Sequence, residues 1–172
     1  MTQVATAEQA WSKLIAGNKI FFSGSLCHKH QDAETHRVLV AKKAPFAATF
    51  GCSDSKLAAE TIFDVGLGDL FVSRNAGISA QQWKKSVKGE LIHNIVNRIT
   101  PTIERGLVLG ETSIEEFANR HIKNTSQEIT NRSEVIRERI AADQVAIVGA
   151  QPKLELGEVQ VVEYRGKIES TR

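Results

Sequence analysis

The 172-residue sequence predicts an α/β fold with a mostly parallel β-sheet flanked by helices, and three observations support it. Short apolar runs, FAATFGC at 46–52, a run from Asp69 to Arg74 and QVAIVG at 144–149, are too short for helices. They end at glycine or turn residues, as strands covered on both faces do. Stretches with helical spacing separate these runs, and alternating strand and helix is the pattern of a parallel sheet built from crossovers. No internal repeat, low-complexity tract or linker divides the chain, so residues 1–172 read as one domain, with 1–36 as an N-terminal helical arm and loop.

The elements follow in order. Residues 6–22 read as an amphipathic helix: Thr6 is an N-cap with Gln9 three residues on, the spacing of a capping box, and Ala10, Trp11, Leu14 and Ile15 fall at helical intervals. Residues 23–36 are polar and turn-rich, and predict a loop. After the first strand, SDSKLAAETIFD reads as a loop turning into a helix, since Ser53, Asp54 and Ser55 are all good cap types. The second strand ends at Asn75-Ala76-Gly77. Leu91, Ile92, Ile95, Val96 and Ile99 predict a helix within 78–105, with a break at Thr100-Pro101. A further helix is expected over 112–141. It starts at Thr112 or Ser113 with Glu115 and Glu116 in its first turn, and Ile114, Phe117, Ala118, His121, Ile122, Thr125 and Ile129 lie along one face. Residues 157–164 alternate weakly, which suits an edge strand near the C-terminus.

Composition narrows the function classes. Lys+Arg is 22 and Asp+Glu is 20, a net charge of +2, too small to indicate a nucleic-acid partner. No apolar run reaches the roughly 18 residues that span a bilayer, and the N-terminus lacks the pattern of a signal peptide, so a cytoplasmic protein away from the membrane is expected. In that setting Cys27 and Cys52 are expected as reduced thiols, available for burial, metal binding or catalysis.

The sharpest chemical feature is Gly51-Cys52-Ser53-Asp54-Ser55-Lys56 at the end of the first strand. In open parallel sheets, chemistry collects at the C-terminal ends of strands. A thiolate and a carboxylate two residues apart can converge on Zn²⁺, which accepts both sulfur and oxygen. The same pair also suits a nucleophilic cysteine, but a nearby carboxylate raises a thiol pKa, which makes metal the better functional reading. The plain structural alternative is a buried small Cys52 with Asp54 as a helix cap.

The run GCSDSK-LAAE-TIFDVGLGDLFVSRNAG resembles the signature of the β-class carbonic anhydrases: Cys-x-Asp-x-Arg, then a Glu on the following helix, then a Gly-Asp-Leu-Phe-Val-x-Arg-Asn-Ala-Gly strand. Weaker similarity covers the N-terminal helix and GELIHNIVNRITPTIERG, EEFANRHIKNTSQEI and VAIVGAQPKLELGEV, so it spans nearly the whole chain. The resemblance implies a zinc enzyme that hydrates CO₂ to bicarbonate and a proton. It implies Cys52 as a zinc ligand, Asp54 as the dyad carboxylate or an alternative ligand, and Glu60 as a residue that could pin Arg74. It also implies a homodimer or larger homo-oligomer in which the first helix, through Trp11, Leu14 and Ile15, reaches a neighbouring copy.

The sequence departs from the family pattern at several points. None of the five histidines is followed by Cys three residues later, so the family's His-x-x-Cys pair of zinc ligands is missing. Between Gly77 and Gly89 only ISAQQWKKSVK stands where the family carries a helix and its central strand; roughly thirty residues are absent, enough for one crossover and strand. The dyad Arg is replaced by Lys56, a point charge without the bidentate fork of Arg, and Lys43 stands where many relatives carry Gln. Without the central strand, 46–52 and 144–149 are expected to pair directly, or Leu107-Val108-Leu109 to fill the gap. Val108 to Ile114 reads like a degenerate ligand motif, but Ile114 cannot ligate zinc, and Glu111 is expected as a solvated acid at a helix start within a connection from Pro101 to Phe117. Cys27, His28 and His30 are ligand types, but Cys27 and His28 are adjacent where structural zinc pairs have intervening residues, so a charged arm is the expectation. His36, His93 and His121 are expected as surface or packing residues.

Overall fold

Thr6 starts the first helix as its sequence dictates. Its hydroxyl accepts from the Gln9 amide while the Gln9 side chain accepts from the Thr6 amide, closing a capping box at the head of α1 (Ala7–Phe22). The computed structural model describes residues 6–27, 30, 32–41, 43–52, 58–75, 100–153 and 155–168. After α1 come α2 (Ala33–Ala41), β1 (Ala47–Cys52), α3 (Ala59–Ile62) and β2 (Leu70–Asn75). A helical stretch over 100–108 precedes α4 (Ile114–Arg132), α5 (Glu134–Ala141), β3 (Ile147–Pro152) and β4 (Val159–Arg165).

The α/β class stands. Among the described residues β1 pairs with β2 in parallel, Ala47 opposite Leu70 through Cys52 opposite Asn75, and β3 pairs with β4 in antiparallel, with an irregularity between Gly149 and Ala150. The expected direct pairing of the first strand with the third is not seen among the described residues. Leu107 and Val108 do not fill the gap either; they belong to the 100–108 helix, and the stretch expected as a connection is therefore partly helical. The helix expected within 78–105 lies, up to residue 99, outside the described residues.

Two other expectations are corrected. Residues 33–41 form α2 rather than continuing the polar loop, because the Asp32 carboxylate accepts from the Thr35 amide (2.8 Å) and hydroxyl (3.1 Å) and caps the turn. The helix expected over 112–141 is two helices. Ser133 adopts an extended conformation (φ −121°, ψ 106°), and its hydroxyl accepts from the Ile136 amide to start α5. Of the two expected starts, Thr112 or Ser113, it is Ser113 that caps α4, in a box with Glu116. The amides of Thr112 and Ser113 and the Ser113 hydroxyl hold the Glu116 carboxylate below its ordinary pKa.

Several helix ends are closed by one device, a left-handed residue that returns its own amide, and the amide of the residue after it, to the last turn. Gly24 does this for α1, Gly110 for the 100–108 helix, and the two aspartates Asp64 and Asp143 for α3 and α5.

The core gathers on one face of α1. Trp11 and Leu14 are buried with Val65, Leu70 and Ile168, none more than 9% exposed, each contributing up to about 3 kcal/mol. Ala47 and Val72 of the parallel pair and Ala146, Val148, Ala150 and Val159 around the antiparallel pair pack against the same cluster, so α1 is where the two strand pairs are tied together. Gly17 lets α1 approach closely: a Cβ there would stand 1.7 Å from the carbonyl oxygen of Phe63. Beside it, Asn18 is 2% exposed and fully used. Its Nδ2 donates to the carbonyls of Ile62 (3.1 Å) and Gly157 (2.8 Å), and its Oδ1 accepts from the Val159 amide (2.9 Å).

Candidate metal centre

The tip of the parallel pair is built by strand alternation. Ala47, Thr49, Leu70 and Val72 point into the molecule, whereas Phe50 and Phe71 on the opposite face are 57% and 67% exposed among the described residues. A bond from the Phe46 amide to the Asp69 carbonyl (2.9 Å) sets the start of the register, and the register carries Cys52 to the last position of β1. Because the strands run parallel, Cys52 and Asn75 end together at the carboxyl edge. Cys52 is half-buried and its sulfur forms no disulfide. Arg74 crosses from the neighbouring strand, and its Nε donates to the Cys52 carbonyl at 2.9 Å. Asp54 and Lys56 lie outside the described residues.

The other candidate ligands do not converge here. Cys27 and His30 are exposed, and His28 lies outside the described residues. Their loop is fixed by its backbone: the Cys27 amide donates to Asp64 Oδ1 (3.0 Å) and the Leu67 amide to the His30 carbonyl (3.3 Å). This ties the loop to the turn between α3 and β2. Among the described residues no three His, Cys, Asp or Glu side chains stand together as a metal-holding group.

Glu111 is not the solvated acid expected at a helix start. It is only 19% exposed and grips Arg120 of α4 with both carboxylate oxygens, Nε lying 2.7 Å from Oε2. This fork pulls the turn after the 100–108 helix onto α4 and holds the Arg120 pKa above its ordinary value. The acid is therefore committed to an ion pair. His121 is half-buried on α4, as a packing histidine should be; burial pushes its pKa down while Glu128 acts the other way. His36 is exposed, Glu60 is half-buried on α3, and His93 lies outside the described residues. The Arg74 contact was not legible from spacing, although both partners stand in the quoted signature, 22 positions apart.

The carbonic anhydrase family model matches residues 47–91, the stretch that holds both parallel strands. The chain is 31% identical to "Carbonic anhydrase 2" of Mycobacterium tuberculosis, over 92% of this chain and 94% of the relative. It belongs to the β-class carbonic anhydrase family. "Carbonic anhydrase" of Mycolicibacterium smegmatis is likewise 31% identical, over 92% of this chain and 95% of the relative. The alignment runs over 195 positions yet covers 92% of a 172-residue chain, so roughly one position in five is occupied in the relative alone. Among solved structures, a tetrameric β-carbonic anhydrase from Sordaria macrospora matches with a TM-score of 0.59 at 17% identity, covering 90% of this chain and 97% of that one, a likeness of fold.

Carbonic anhydrases of this family imply zinc. The half-buried thiol of Cys52 at a strand's carboxyl end fits a sulfur ligand in chemistry and position. Among the described residues it belongs to no group of three or more His, Cys, Asp or Glu side chains that could hold a metal ion. No described helix of the chain is long and apolar enough to cross a membrane.

Proposed function

We propose that this carbonic anhydrase catalyses the reversible hydration of CO₂ to bicarbonate and a proton, with Cys52 and Asp54 holding zinc and Asp54 alternatively serving as the dyad carboxylate. The observation that carries the reading is the position of Cys52, at the shared carboxyl edge of two parallel strands within the matched family region. Zinc, when bound, supplies a water acidic enough to ionise near neutral pH. The chain's own contribution is to present the thiol. β1 carries Cys52 to the rim, and the Ala47 and Val72 side of the pair anchors that strand in the core. Lys56 stands where the family's Arg restrains the carboxylate, and a lysine ammonium lacks the two-pronged geometry of a guanidinium. The chain acts in the cytoplasm on CO₂ and bicarbonate as a homodimer or higher homo-oligomer, without nucleic-acid or membrane partners.

A second reading, a catalytically inactive relative with an incomplete metal site, is favoured by the absent His-x-x-Cys and by Lys56. Zinc sites normally draw at least three ligands from the protein. Zinc content per chain, measured with a stopped-flow CO₂ hydration assay, separates the two. The enzyme reading expects about one zinc per chain. It also expects hydration that falls to the background rate in Cys52→Ser, with the metal lost. A folded wild-type chain that takes up no zinc and hydrates nothing establishes the inactive relative.

A further inference from the structure

We draw no further inference here: the strongest candidate, the outer face of the parallel strand pair on which Phe50 and Phe71 stand exposed among the described residues, is an apolar surface for which nothing in the structure shows what covers it.

Discussion

The two strand pairs that meet on α1 are finished differently. At the antiparallel pair, backbone and side chains close tightly: Asn18 binds the Gly157 carbonyl and the Val159 amide, and a Cβ on Gly149 would stand 2.6 Å from the Ile122 side chain of α4. At the parallel pair the inner face is anchored, but among the described residues the outer face leaves Phe50 and Phe71 exposed and a Cβ on Gly51 would meet nothing within 4 Å. One end of the molecule is committed to packing. The other has room at the strand tip where the signature cysteine stands. The antiparallel end is closed by packing and the parallel end keeps room at its strand tip, with α1 joining the two.

The contrast breaks most visibly at two glycines. Gly17→Ala forces a methyl into the Phe63 carbonyl, a backbone atom that cannot retreat without moving the contact between α1 and α3. A loss of about 3 kcal/mol is expected. For a chain of this size that is a fall of about 6–12 °C in the melting midpoint. Gly51→Ala, in open space among the described residues, should change the midpoint little; an equal loss at both positions would erase the distinction between the packed α1–α3 seam and the open strand tip.

Asn18→Leu comes next. It leaves the Ile62 and Gly157 carbonyls and the Val159 amide without their side-chain partner, an expected loss of about 2–3 kcal/mol measured by urea denaturation. A variant as stable as the wild type would show that packing alone holds the antiparallel pair to α1.

The smallest effect concerns pH at α4, which backs the antiparallel pair. Burial lowers the His121 pKa in the folded chain, so the unfolded chain protonates this ring at the higher pH. The stability that comes from keeping the ring neutral is complete above the unfolded value, about 6.5, and is lost as pH falls below it toward the folded value. Melting midpoints of the wild type should therefore drop more steeply than those of His121→Gln between about pH 7 and pH 5. Parallel curves would remove His121 from the account.

The sequence was most legible where the cause is local. Thr6 with Gln9, and Ser113 with Glu116, announce their helices because a cap needs only residues three apart. The first three strands are visible as apolar runs bounded by turns, and the fourth as a weak alternation. The signature around Cys52 and Arg74 made the family readable, though not the bond between the two residues. What escaped was non-local or competed with a stronger cue. Asp32 caps α2 inside a stretch whose polarity reads as loop. Ser133 divides a continuous helical pattern with a single side-chain bond. Glu111 has the spacing of a helix-start acid, but its partner Arg120 is set by how the preceding turn folds back. Asn18 gives no signal at all, since its partners lie 44, 139 and 141 positions away.

That last distance has a consequence for how the protein is made. The ribosome delivers α1 first, but its buried amide can complete its bonds only after Gly157 and Val159 have emerged, near the end of translation. Until then the apolar stripe of Trp11 and Leu14 has the parallel pair to pack on but lacks Ile168 and the residues around the antiparallel pair, and closure of this long loop comes late in folding. Nascent chains stalled before residue 157 should therefore remain open at this seam and be the form that chaperones and proteases meet.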